Sequence, residues 1–156
     1  MFRKFFIFNI VLLIFFSCTN NEVYNNSQNL KDSLWNYKDT LVFNFKVPDI
    51  NKTYNVFIQL KNTDNYKYSN LFIFSKINGP KNETIIDTID CIICNQKGEW
   101  YGKNESDSWY NKLMFRKRIR FPETGNYKFS FVQAMRDDNL KNITNFGLII
   151  ENADKN

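Results

Sequence analysis

The chain has 156 residues, a formal net charge of +5, 43% hydrophobic and 17% aromatic residues, and no histidine. Without imidazole the usual general base for Ser and Cys nucleophiles is missing, and neither a Gly-x-Ser-x-Gly elbow nor a phosphate-cradling glycine loop is present, which argues against acyl and phosphoryl transfer. The positive charge is scattered over single lysines rather than gathered in a block, so nucleic acid is not the expected partner.

Arg3 and Lys4 give the chain a cationic start, followed by an apolar run from Phe5 to Phe16 that only Asn9 interrupts. As a helix this run covers about 18 Å, well short of the ~30 Å hydrocarbon slab, so it reads as an export signal rather than a membrane span. Ser17 directly before Cys18 is the small-residue-plus-cysteine junction of bacterial lipoprotein processing, although Phe15 stands where leucine is the common choice. Residues 1–17 are therefore expected to be a cleaved lipoprotein signal peptide, with Cys18 the acylated first residue and the lipid its hold on the membrane. Loss of Arg3 and Lys4 brings the charge to +3. Residues 18–38, rich in asparagine and poorly patterned, read as an acylated tether that docks near Trp35, and residues 39–156 as one domain.

Beyond the tether the pattern has period two, the mark of strands with one buried face. Leu41, Phe43, Phe45 and Val47 alternate with Asn44 and Lys46, and Pro48-Asp49 ends the run. Tyr54, Val56, Ile58 and Leu60 form a second face. In the third strand, from Asn70 to Lys76, Leu71 and Ile73 oppose Phe72 and Phe74, so neither side is plainly polar and a central position is expected. After the turn Asn78-Gly79-Pro80, Ile85, Ile89 and Ile93 share a face with Asp87, which would need partners if buried.

Gly98 to Asn111 suggests a short strand and a long loop carrying Trp100, Tyr101, Trp109 and Tyr110. Next, Arg116, Arg118 and Arg120 fall on one face and Phe115, Ile119 and Phe121 on the other. Tyr127, Phe129 and Phe131 mark the following strand, and Phe146, Leu148 and Ile150 the last, with one helical turn expected within 137–142. Seven to eight such strands without a sustained helical period predict an all-β, antiparallel β-sandwich.

Cys91 and Cys94 have CxxC spacing, but with no histidine and no second cysteine pair they cannot complete a zinc site, so no metal and no cofactor are expected. In an extended strand residues three apart project to opposite faces at about 10 Å, beyond the ~7 Å reach of a disulfide, so both thiols read as small buried fillers.

Local motifs along most of the mature chain resemble the gliding-motility-associated lipoprotein family GldH of the Bacteroidetes, in the family's order. They are Val23-Tyr24, Tyr54 to Ile58 with Lys61-Asn62, Tyr66, Tyr68, Asn70-Leu71-Phe72, and Asp87-Thr88. Gly98, Trp100, Tyr101 and Gly102 follow, then Phe121-Pro122, Gly125, Tyr127, Gln133-Ala134-Met135-Arg136, Leu140, Ile143 and Gly147, of which the Gln-Ala-Met-Arg segment is the most specific. Lys61, Cys94 and Asn104 depart from the family's arginine, alanine and glycine. The resemblance implies a non-catalytic envelope component of the gliding machinery, linked to type IX secretion, lipid-anchored in the outer membrane and facing the periplasm. It also implies other gliding or secretion proteins as partners, and no small-molecule ligand is expected.

Three groups of residues remain as candidates for a partner or ligand surface. Trp100, Tyr101, Trp109 and Tyr110 would stack on sugar rings or pack on a protein, or else simply fill the core and loops. Arg116, Arg118 and Arg120 would meet lipid phosphates or acidic glycans, or be a solvated strand face. Gln133 and Arg136 would form a polar contact or hold their own loop. A glycan-binding sandwich lipoprotein is the alternative to a motility scaffold.

Overall fold

In a strand, successive side chains point to opposite faces, and this chain uses the rule to build two stacked sheets. The computed structural model describes residues 21–154, so the signal peptide and Cys18 lie outside the described residues. Eight long strands are present, β1 (Glu22–Asn29), β3 (Leu41–Val47), β4 (Tyr54–Asn62), β5 (Asn70–Asn78), β6 (Thr84–Ile92), β8 (Ser108–Ile119), β9 (Gly125–Gln133) and β11 (Ile143–Asn152). Three-residue strands β2 (Leu34–Asn36), β7 (Lys103–Glu105) and β10 (Asn139–Lys141) join them. All pairings are antiparallel, in the orders β1-β11-β4-β8-β7 and β3-β9-β5-β6, with β2 and β10 forming a small ribbon. The expected all-β sandwich is what the chain forms. The helical turn expected within 137–142 is absent, because Asn139–Lys141 pairs instead with Leu34–Asn36.

Burial follows the period-two pattern. Leu41, Phe43, Phe45 and Val47 of β3 are buried while Asn44 and Lys46 are exposed. Aromatic rings fill the space between the sheets. Trp35, Phe43, Phe131 and Phe146 meet at one end, with Trp35–Phe146 centroids 5.0 Å apart and Phe131–Phe146 5.2 Å apart. Phe45, Tyr54, Phe121 and Tyr127 meet at the other, where Phe121–Tyr127 centroids are 4.7 Å apart. Such ring pairs stabilise beyond their area burial. As expected, β5 is central in its sheet, between β9 and β6, yet Phe72 and Phe74 on its outer side are exposed.

The folded body starts far earlier than residue 39. Glu22–Asn29 pairs with β11 along its length, and Leu34–Asn36 is also a strand, so most of the expected tether belongs to the sandwich. The asparagine-rich sequence hides β1 because it is an edge strand, held by its backbone. Its side chains contribute little to the core beyond Val23 and Tyr24, whose ring meets Phe45 edge-on at 5.7 Å.

Gly147 of β11 is the point where β1 is seated. A Cβ added there would lie 2.5 Å from Asn26 O, 2.5 Å from Gln59 Nε2 and 2.6 Å from Ser27 Cβ. The bare backbone leaves a slot that the Gln59 side chain crosses to donate to Asn25 Oδ1 at 3.0 Å and Asn26 O at 3.3 Å, tying β4 to β1 over the intervening strand. Gly147→Ala should cost about 1–3 kcal/mol, the range for overpacking a filled site. Urea denaturation followed by tryptophan fluorescence measures the loss, and amide exchange should rise first in residues 22–29.

The strands alternate in direction, so the body has two distinct ends. At the entry end lie Asn21, the loops 48–53, 79–83 and 120–124, and the segment 152–154. At the distal end lie the loops 63–69, 93–102 and 134–138 and the short strands.

Candidate functional site

The distal end is built by three loops that the strands below hold rigidly. Gln133, the last residue of β9, is buried and faces inward. Its Nε2 donates to Asp137 O at 2.7 Å, and its Oε1 accepts from the Met135 amide at 2.8 Å. The loop 134–138 is thereby folded over the end of the core, and Met135 Sδ accepts the Phe72 amide at 3.2 Å. Arg136 stands exposed at the tip. Of the two readings for this pair, Gln133 holds its own loop, while Arg136 is displayed outward.

Beside that loop, Lys67 Nζ lies 2.7 Å from Asp137 Oδ2 and 4.9 Å from the Tyr68 ring centroid. The hydrogen bond to Asp137 raises the Lys67 pKa, and the same bond holds the Asp137 carboxyl below the usual range. Asn65, Lys67, Asp137, Asn139 and Lys141 line a polar depression of about 230 Å³. A second, shallower one of about 480 Å³ runs over Tyr66, Tyr68, Asn95, Gln96 and Trp100. Tyr66 is buried, donates to Asn70 O at 2.9 Å, and has its phenol pushed up by that burial. Lys67, Asp137 and Lys141 were not singled out from sequence, since nothing in their spacing shows that two loops meet.

The four aromatic candidates are not one cluster. Trp100 packs on the core with its ring 6.3 Å from Tyr66, and pairs as an isolated bridge with Cys94. Trp109 donates to Asp64 Oδ1 at 2.6 Å, and Lys61 Nζ sits 5.8 Å from the Tyr110 ring. Tyr101 alone of the four is exposed. Gly102 lets the chain return to β8, because a Cβ there would lie 2.8 Å from Tyr110 O and 2.8 Å from Asn111 Oδ1.

Nor do the three arginines share a face, a correction to the strict alternation read from sequence. Register shifts between β4 and β8 on both sides of Val56 add residues to β8, and Arg118 takes a positive φ of 50°. Each extra residue reverses the phase. Arg116 consequently lies opposite inward-facing Val56 and crosses between the sheets, its Nη2 2.6 Å from Asp87 Oδ2. Arg118 turns to the entry end, donating to Ala153 O at 3.2 Å and Asp154 Oδ1 at 3.3 Å. Arg120, just past the strand, lines an apolar cleft of about 210 Å³ with Ile77, Ile85, Ile119 and Phe121, and Arg116 borders the same cleft.

Asp87 thus has the partners its inward position requires. Arg116 and the Thr88 amide, which donates to Asp87 Oδ1 at 2.8 Å, hold its carboxyl below the ordinary carboxylate range. A carboxylate whose folded pKa is depressed adds stability above its unfolded pKa and loses it as pH falls through the folded value. Asp87→Asn should therefore flatten the acid side of the melting-temperature profile below about pH 4, where the unfolded carboxyl titrates. Circular dichroism melts of both proteins across that range test this.

Cys91 and Cys94 are free and buried. The strand β6 stops at Ile92 and Cys94 lies beyond it, bridged to Trp100, so the two cysteines do not sit on one extended strand as their spacing suggests. Burial pushes the Cys91 thiol up to about 12. Among the described residues no group of three or more Cys, Asp or Glu side chains could hold a metal ion, and no helix is long and apolar enough to cross a membrane.

The GldH lipoprotein family model matches residues 22–150, from the start of β1 to Ile150 of β11. The chain belongs to the GldH lipoprotein family. A gliding motility lipoprotein GldH homolog of Christiangramia forsetii is 35% identical over 158 residues, covering 96% of this chain and 95% of the relative. The gliding motility lipoprotein GldH of Flavobacterium johnsoniae is 29% identical over 152 residues, covering 93% and 94%. A solved structure of infectious bursal disease virus, Gx strain, aligns with 83% of this chain and 29% of that one at 13% identity, with a TM-score of 0.34. The family is one of motility lipoproteins rather than of known enzymes.

Placed on this GldH fold, the motifs Tyr66, Tyr68, Gly98 to Gly102 and Gln133 to Arg136 gather at the distal end. Gln133→Leu keeps the bulk but leaves the Met135 amide and the Asp137 carbonyl without their partner. Each unsatisfied buried group costs about 1–3 kcal/mol, so the two together should destabilise the variant by about 2–6 kcal/mol. Hydrogen exchange should also quicken through residues 134–138, and mass spectrometry of exchanged peptides reads this directly.

Proposed function

We propose that this lipoprotein is a non-catalytic component of a gliding-motility complex linked to type IX secretion, anchored by acylated Cys18 in the outer membrane and facing the periplasm. Its distal end is the surface that meets a protein partner. The observation that carries this reading is the separation of the two ends. The chain enters at Asn21, while the Gln133-Ala134-Met135-Arg136 segment, Trp100 and the Lys67–Asp137 pair lie at the opposite end. A body attached at one end and displaying a rigid, mixed-charge surface at the other suits a scaffold.

The glycan-binding alternative is less favoured. A sugar-stacking platform needs an open aromatic face, and Trp100, Trp109 and Tyr110 are engaged in packing, a hydrogen bond and a cation contact respectively. Isothermal titration with cell-wall polysaccharides should give no saturable heat.

Two measurements test the scaffold reading. Metabolic labelling with a clickable palmitate should mark the wild-type chain and leave Cys18→Ser unmarked, with the variant released from the envelope fraction. Deletion of the protein should abolish gliding and adhesin secretion in a gliding host. An unlabelled wild type, or intact gliding after deletion, overturns the proposal.

A further inference from the structure

The link between the lipid and the folded body is short. Asn21 is already fixed, its carbonyl accepting the Asn152 amide at 2.9 Å. Only Thr19 and Asn20 lie between it and Cys18, and three residue steps of at most ~3.6 Å reach no further than about 11 Å. Given the acylation of Cys18 proposed above, the entry end cannot stand away from the bilayer.

The charges at that end are distributed to suit such a position. Of its acidic groups, Asp154 and Glu123 are ion-paired within the protein, while Asp49, Glu83 and Glu22 are held by hydrogen bonds alone, Glu22 accepting from the Asn25 side chain at 3.1 Å. Asp154 accepts from the Thr53 hydroxyl at 2.6 Å and pairs with Arg118, Asp49 accepts the Asn51 amide at 2.9 Å, Glu83 accepts the Lys81 amide at 3.1 Å, and Glu123 pairs with Lys81. The cations Lys46, Lys52, Arg120 and Lys128 are exposed and form no ion pair among the described residues. Lys52 lies beside the chain entry, lining one small hollow with Asn21, Asn152 and Asp154. Two residues before it in the same loop, Ile50 is an exposed apolar side chain. Unpaired cations beside an apolar side chain match the phosphate layer of a bilayer with acyl chains beneath it.

We propose that the entry end is a second membrane contact, in which Lys52 and Arg120 meet lipid phosphates and Ile50 inserts at the headgroup level, holding the sandwich upright on its short link. The contact is with the lipid surface itself and is additional to the acyl anchor.

The test uses the full acylated chain in vesicles of phosphatidylethanolamine and phosphatidylglycerol. An environment-sensitive fluorophore is attached through Ile50→Cys in one preparation and Asn65→Cys, at the distal end, in another. The buried native thiols Cys91 and Cys94 stay unlabelled in the folded protein. The Ile50 probe should shift to the blue and be quenched by spin-labelled lipid, and the Asn65 probe should do neither. Adding Lys52→Glu and Arg120→Glu should abolish the Ile50 shift while the chain still floats with the vesicles. A floating chain whose Ile50 probe remains as water-exposed as the Asn65 probe overturns this contact alone. A chain that fails to float overturns it together with the acyl anchor on which it rests.

Discussion

Antiparallel pairing of β1 against β11 is the interaction on which the rest of the arrangement depends. It joins the first described strand to the last, from Glu22 opposite Glu151 to Asn29 opposite Asn145, and so completes the five-stranded sheet. The pairing rests on a missing side chain. Gly147 lets Gln59 reach across to β1, which converts an edge held by backbone bonds alone into one clamped from the strand beyond. The same strand fixes where the chain leaves the body, and therefore how far the body stands from its lipid.

The open edge at β6 is managed differently. Edge strands with free backbone groups invite pairing with other chains, and inward-pointing charge is a common guard against it. Asp87 supplies that charge, caps the neighbouring Thr88 amide, and is kept ionised by Arg116 from the other sheet. One carboxylate thus joins the two sheets and closes part of an exposed edge, while the aromatic layer between the sheets does the bulk of the cohesive work.

Much of the sandwich was legible because β3 and β9 alternate cleanly and β4 is broken only at Phe57, and a strand with one buried face has no freedom to do otherwise. What escaped reading has identifiable causes. The strand β1 carries three asparagines among its eight residues and presents no alternating apolar face, since an edge strand seated by main-chain bonds has little need of one. The phase of β8 escapes the sequence because bulges leave no compositional trace, so three arginines at spacing two look like one surface when the fold turns Arg118 away from the cleft that Arg116 and Arg120 line. In β6, Ile86 and Ile92 are exposed although their residue type suggests burial. At the distal end the Gln133 to Arg136 segment was visible as a motif, but its meeting with Lys67 and Tyr68 depends on loops far apart in sequence.

The length of the strands has a consequence for what this molecule can touch. Strands of nine residues such as β4, β5 and β9 rise about 30 Å from the entry end to the distal end. On the proposed Cys18 anchor, with its short link, the body is a ruler more than a tethered ball, offering Arg136 and the Lys67–Asp137 pair at one fixed altitude. Components whose own contact surfaces lie in that stratum can engage it, and those hugging the lipid or spanning far beyond it cannot.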